Sequence, residues 1–265
     1  MWLPLLRRLT ERFPSWAVLK NVDSALHGHG DVDSLAAPAE WPAIEAEFRA
    51  WAAEHGMTTV IVCRHVPQGP HFIAFAPGMR HFVQLDVKER ATVRGSTVVG
   101  WRQLLPLAEM DPRGFRMVRP GAEGVIKLLS NGLMPGGRKD GDGLRRKRVA
   151  ELLASDPDGV RGTARLFGPA AGALRRGADA VVRGGWDRPA MLAVEAWCLV
   201  RSVVEPGTVF SRLRFKYHGR GRCPVIRAIR SGGRRIPDDG AAWMREVRRT
   251  HPGGVTGGTD ATGAP

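Results

Sequence analysis

The chain is poor in cysteine, has no long apolar run and lacks most familiar catalytic signatures. Its three cysteines, Cys63, Cys198 and Cys223, are far apart among 265 residues. They form neither a CxxC pair nor an even disulfide set, so a reduced, cytoplasmic setting is expected. No apolar run approaches the roughly 18–20 residues of a membrane span, and no membrane partner is expected. The opening MWLPLLRR places its apolar residues before Arg7 and Arg8, the reverse of a secretory signal. There is no GxxxxGK[ST], no GxSxG and no HExxH, which argues against an ordinary P-loop kinase, an α/β-hydrolase and a zincin.

Acidic residues are scarce in one half only. The whole chain has 40 Lys+Arg against 26 Asp+Glu, a net charge of +14. Residues 1–137 carry 15 basic and 13 acidic side chains, a net of +2, which leaves 25 and 13, or +12, for residues 138–265. A basic field of this size draws polyanions: nucleic acid or phosphorylated small molecules. A genome-wide bias toward Arg, Gly and Ala would give the same numbers.

Periodicity gives the elements. Trp2–Phe13 reads as an amphipathic helix stopped by Pro14, and Ser15–Lys20 as a strand. After Gly28 and Gly30, Asp31–Ala36 reads as a second strand. Trp41, Ile44, Phe48 and Trp51 mark one face of a helix over Glu40–Glu54, a core face rather than a cofactor box. Thr58–His65, His71–Ala76 and His81–Val87 read as a meander of antiparallel strands, with Thr92–Val99 as a further extension of that sheet. Ala122–Leu129, Leu144–Ala154, Val160–Leu166, Gly172–Val182 and Arg188–Val204 read as helices. Phe210–Tyr217 reads as a strand or an extended arm, and His251–Pro265 as a disordered tail. The expected fold is α+β: a mixed or antiparallel sheet with flanking helices over residues 1–120, a basic, mainly helical domain over 121–250, and the tail over 251–265. Cys63 and Cys198 sit in apolar elements and read as packing residues.

The chemistry concentrates in LHGHGDVDSL. Asp31 and Asp33 are two apart, so on a strand they share a face. Carboxylates this close repel unless a cation lies between them. Oxygen donors suit Mg²⁺ or Mn²⁺. Asp86 is a lone acid within the apolar run FVQLDV, where an unpaired charge is costly. A metal shared by Asp31, Asp33 and Asp86 removes that cost, and three carboxylates on adjacent strands can hold two divalent ions about 3.5–4 Å apart. Each acid also has an ordinary reading: a DxD is a common solvated turn, and Asp86 is a strand-end acid paired with Lys88 or Arg90. His27 and His29 share parity with the two acids, which leaves a transition-metal site open if the strand starts early; Gly28 and Gly30 argue against so early a start.

The order strand, Gly turn, DxD strand, helix, antiparallel strands and late acid resembles the nucleotidyltransferase fold of the DNA polymerase beta superfamily. WAVLKNVDSALHGHGDVDSLA and FVQLDV carry the likeness, which is nearest to small bacterial nucleotidyltransferase-like proteins. It spans roughly the first 100 residues, with a weaker echo in GVIKLLSNGLMPGGRKDGDGLRRKRVAELL. The resemblance implies that Asp31 and Asp33 bind metal ions and that Asp86 binds one of them and helps activate an acceptor hydroxyl. It implies Mg²⁺ or Mn²⁺ as cofactor, a nucleoside triphosphate as donor, and a small molecule, protein or RNA as acceptor. Family members carry a Gly-Ser or Gly-Gly pair before the DxD that cradles phosphates. This chain has no clean copy; Ser24 and the HGHG turn are the candidates, with Gly28 and Gly30 letting backbone N–H groups approach a phosphate. Lys139, in a Gly-rich loop, and Arg145, on the helix after it, are candidate triphosphate contacts within the cluster Arg138, Lys139 and Arg145–Arg148; a solvated basic helix face explains that cluster equally well. Tyr217 with Arg220 and Arg222 reads either as a base-stacking element or as a plain surface loop. The alternative to an enzyme is a non-catalytic nucleic-acid-binding protein on the same scaffold.

Overall fold

The computed structural model describes residues 1–28, 30–63, 68–77, 81–93, 96–130, 144–204, 206–207, 210, 213 and 255–257. Among them the fold is α+β, with a mixed sheet of eight strands and helices on both its faces. Helix α1 (Trp2–Arg12) leads through a turn into strand β1 (Ala17–Lys20). A short helix α2 (Val22–Leu26) then precedes β2 (Val32–Leu35) and helix α3 (Trp41–Glu54). Next come β3 (Thr59–Cys63), β4 (His71–Phe75) and β5 (Phe82–Lys88). These three are the expected antiparallel meander.

The meander meets the front of the chain through β5, which pairs in parallel with β2, and β2 pairs antiparallel with β1. The edge beyond β1 is a hairpin that the sequence pattern did not show: β8 (Ala108–Met110) and β9 (Arg116–Val118), with β9 parallel to β1. Its turn is held by Asp111, which accepts bonds from the Arg113 N–H (2.8 Å) and guanidinium (2.7 Å). Within the tail expected to be disordered, β10 (Val255–Gly257) pairs antiparallel with β3 at the other edge. The run Thr92–Val99 does not extend the large sheet. A bend at Glu89 turns the chain away after β5, and β6 (Arg90–Val93) and β7 (Ser96–Gly100) pair into a separate two-stranded sheet, followed by the short helix α4 (Trp101–Leu104).

One face of the large sheet is closed by α1 and α3. Trp2, Leu5, Leu6 and Leu9 recur at helical spacing on α1, and Ile44, Phe48 and Trp51 on α3. They meet Val32, Phe72, Ala74, Leu85 and Val87 in one apolar cluster. Trp51 stacks on Trp2 with ring centroids 5.2 Å apart. Trp41 is only partly buried against this core.

The other face is shared. Leu19, Leu35, Val99 and Val118 pack with the helical half: α5 (Pro120–Ser130), α6 (Leu144–Ser155), α7 (Pro157–Arg165), α8 (Ala171–Val182) and α9 (Arg188–Val204). The five helices fall where the sequence periodicity predicts helices. A seam ties them to the sheet: Asp156, the N-cap of α7, accepts from Gly159 N–H (2.9 Å), Gly121 N–H (3.1 Å) and the Arg119 guanidinium (2.5 Å and 3.1 Å). Gly121 and Gly159 sit where α5 and α7 cross; a Cβ at Gly121 would stand 2.1 Å from the Asp156 carbonyl oxygen. Cys63 and Cys198 are buried, as packing residues should be. Among the described residues no helix is long and apolar enough to cross a membrane. Most of Phe210–Tyr217, with Arg220 and Arg222, lies outside the described residues.

Candidate metal centre

Strand register assembles the site. Lys20 on β1 stands opposite Asp33 on β2, Asp33 opposite Asp86 on β5, and Asp86 opposite His71 on β4. Four neighbouring strands therefore each contribute one polar side chain to a single row. The alternation of a strand puts this row on the face away from α1 and α3, while the intervening Val32, Leu85 and Val87 enter the apolar core. Asp31 immediately precedes β2 and shares the parity of Asp33. One carboxylate oxygen each of Asp31, Asp33 and Asp86 lies within 4.8 Å of the others. The structure thus brings together the three acids singled out in the sequence.

Asp33 and Asp86 are only 2% and 4% exposed. Their partners are specific. Lys88 donates to Asp33 Oδ1, while Lys20 Nζ is 3.2 Å and Asn21 Nδ2 2.9 Å from Asp33 Oδ2. Asp86 Oδ1 receives Gln84 Nε2 at 2.7 Å and meets His71 Nδ1 at 2.5 Å; its Oδ2 is 3.5 Å from Lys88 Nζ. The expected Lys88–Asp86 ion pair is therefore present beside the acid cluster rather than instead of it. Below the row, the Ser34 hydroxyl donates to the Asp86 carbonyl at 2.9 Å, which pins β2 to β5.

The electrostatics divide the acids. Burial would raise Asp33, but the ammonium groups of Lys88 and Lys20 outweigh it and hold the carboxyl down at about 2. Asp31 is pushed up to about 6, first by burial and then by the charges of Asp33 and Asp86, with Lys88 only partly opposing them. Lys88 moves the other way: burial disfavours its charge, yet Asp33 and Asp86 raise it above an ordinary lysine. The cluster therefore holds more negative charge near Asp31 than the two lysines cancel. An all-carboxylate donor set of this kind could hold a metal ion.

Other candidates stand differently. Gly28 and Gly30 both have positive φ, 82° and 86°, in the exposed turn after α2, which explains glycine at both. A Cβ at either would meet nothing within 4 Å, so the turn leaves open space. Ser24 is exposed on α2. The His27 ring bonds the Asp23 carbonyl at 2.7 Å and is not among the grouped acids; His29 lies outside the described residues. Lys139 also lies outside them, as does the Arg145 side chain, although the Arg145 backbone is part of α6. Two neighbours are engaged in structure: Arg146 donates to the Gly184 carbonyl at 2.8 Å, and Arg148 reaches Asp23 on α2 at 3.1 Å.

Sequence reasoning missed Lys20, Asn21 and His71 as neighbours of the acids, and it paired Lys88 with Asp86 but not with Asp33. For His71 a signal existed: a tight β4–β5 hairpin that pairs Phe75 with Phe82 must pair His71 with Asp86. Asn21 announced nothing in the sequence. It joins β1 to α2 at φ 68°, the one positive φ at a residue other than glycine among those described. Its N–H donates to Glu123 Oε1 at 3.3 Å, and Glu123 is bridged to Lys127 at 2.6 Å, so α5 braces this turn.

Comparison with known proteins returns no match: no family model, no curated protein and no solved structure matches the chain.

Proposed function

We propose that the protein is a metal-dependent nucleotidyltransferase. The observation that carries this reading is the convergence of Asp31, Asp33 and Asp86 from two adjacent parallel strands into one oxygen-donor cluster. The reaction moves a nucleoside monophosphate from a nucleoside triphosphate to an acceptor hydroxyl or phosphate. A bond forms between the acceptor oxygen and the α-phosphorus, the α–β bridging P–O bond breaks, and pyrophosphate leaves. Bound Mg²⁺ or Mn²⁺ neutralises the triphosphate and lowers the pKa of the attacking hydroxyl. Asp31 and Asp33 would hold the metal; Asp86, fixed on one oxygen by Gln84 and His71, would share the metal through its other oxygen and take up the acceptor's proton. The turn of Gly28 and Gly30 has open space for the phosphates, Lys139 and Arg145 are the basic residues that the sequence offers for them, and the basic half draws the acceptor, a small molecule, a protein or a nucleic acid.

A thermal-denaturation panel tests this: each nucleoside triphosphate with and without Mg²⁺ or Mn²⁺, on wild type, Asp31→Asn and Asp86→Asn. A ligand bound only by the folded state raises the midpoint by mass action. Metal-dependent stabilisation by a nucleotide, lost in both variants, is the expected result. No shift with any nucleotide contradicts the proposal.

One observation favours a second reading. Asp33 is already paired with two lysines, as in a site that needs no metal. On that reading the protein binds nucleic acid through its basic half, with affinity that falls steeply with salt and is the same in wild type and Asp31→Asn.

A further inference from the structure

We propose that Lys88 is a tethered cation that holds the metal position in the metal-free protein and must leave the acids for a divalent ion to bind. The inference rests on the metal-dependent reading above and concerns how that site is occupied.

The geometry sets Lys88 apart from Lys20. Lys20 reaches Asp33 alone, from the neighbouring strand, at 3.2 Å. Lys88 follows Asp86 by two residues on β5, so its side chain rises from the same face, between the two strands that carry the acids. Its ammonium donates to Asp33 Oδ1 and stands 3.5 Å from Asp86 Oδ2. Its charge also acts on Asp31. Among the described residues, Lys88 is thus the cation that acts on all three carboxylates, and these lie within 4.8 Å of one another. A divalent ion shared by the same oxygens would stand beside a positive charge and compete with it for Asp33 Oδ1 and Asp86 Oδ2.

The remaining partners do not need to move. Asp33 Oδ2 keeps Lys20 and Asn21. Asp86 Oδ1 keeps Gln84 and His71. Asp33 and Asp86 thus each have one oxygen bonded to other partners and one oxygen beside Lys88. The lysine stem has four rotatable bonds, so the ammonium can swing aside while the strand stays in register.

A tethered cation makes an unusual prediction: removing a positively charged contact from the site should improve metal binding. Mn²⁺ titration of the full-length protein, followed by loss of the free Mn²⁺ electron paramagnetic resonance signal, reads this directly, without nucleotide and without turnover. Lys88→Met and Lys88→Gln are expected to bind Mn²⁺ about tenfold more tightly than wild type or better, since each removes a like charge within bonding distance of the ligand oxygens. Lys88→Arg keeps the charge and is expected to stay within about twofold of wild type. Both neutral variants should also gain a larger rise in denaturation midpoint on adding Mn²⁺, which shows that the tighter site belongs to the folded state.

The outcomes separate the two ideas. Wild-type binding with equal or weaker binding in folded Lys88→Met and Lys88→Gln overturns the tethered cation and leaves the metal reading standing. Tighter binding in Lys88→Arg as well as in the neutral variants also overturns it, because the effect would not follow charge. Absence of Mn²⁺ binding in wild type and all three variants overturns both.

Discussion

Along β5, Leu85 and Val87 enter the aromatic layer under α1 and α3, while Asp86 and Lys88, in the alternate positions, face the acid cluster. Along β2, Val32 belongs to the first face and Asp33 to the second. The same few residues of backbone thus serve two environments. On the closed face the side chains are interchangeable in kind: each contributes by removing apolar surface from water. On the charged face each group has a named partner, and one change alters the balance of all the others. The closed face holds the sheet in register; the register then delivers Lys20, Asp33, Asp86 and His71 to one row. The division predicts that substitutions on the two faces fail differently.

The largest expected effect lies on the charged face and leaves the fold intact. Asp86→Asn and Asp31→Asn should each reduce the proposed nucleotidyl transfer by at least about 10³-fold, or about 4 kcal/mol of transition-state stabilisation. Pyrophosphate release measures it, with the denaturation midpoint as control. The converse experiment is Trp51→Ala. Trp51 is fully buried and stacked on Trp2, so its truncation should cost about 3–5 kcal/mol in denaturant unfolding. Mn²⁺ affinity of the remaining folded protein should not change. Loss of metal binding at Trp51→Ala before unfolding would break the comparison.

A third test sharpens the charged face itself, because Asp31 and Asp33 should respond to pH with opposite sign. Asp31 has its folded pKa raised to about 6 from 3.8, so its contribution to stability is full below about 3.8 and is lost as pH rises through 6. The loss is up to about 3 kcal/mol, and Asp31→Asn should abolish it and flatten metal-free stability between those limits. Asp33 has its folded pKa lowered to about 2, so its contribution is full above 3.8 and is lost as pH falls through 2. Asp33→Asn strands Lys20 without its carboxylate and leaves Lys88 with Asp86, and it should destabilise the protein at neutral pH, where Asp31→Asn should not. Unfolding free energy against pH for the three proteins checks both signs. The smallest effect belongs to the rim: Arg148 and Asp23 are each about half exposed, and Arg148→Ala should cost less than about 1 kcal/mol.

Much of the sheet was legible because its signals are local. The helical spacing of Trp41, Ile44, Phe48 and Trp51 and the turn residues around the meander give α3 and β3–β5 to within a residue or two. The three acids were legible because DxD parity and a charge inside an apolar run are visible in one dimension. Of their counter-charges only Lys88, as a partner for Asp86, was legible. Lys20 and Asp33 meet only because β1 and β2 are antiparallel across α2, a helix of five residues with no periodicity to read. The β8–β9 hairpin has strands of three residues each, too short for alternation to show, though DPRG carries turn chemistry. The single run Thr92–Val99 was misread because an apolar pattern does not reveal a bend at Glu89 that takes a strand out of its sheet.

The most direct test of the central claim is a crystal of the full chain grown with Mn²⁺ and a non-hydrolysable nucleoside triphosphate, with anomalous scattering recorded for manganese. The account predicts anomalous density within coordination distance of Asp31, Asp33 and Asp86, with the triphosphate beside it and the Lys88 ammonium moved away from Asp33. A cluster without anomalous density, with Lys88 still bonded to Asp33 and nucleotide absent or bound elsewhere, would contradict it.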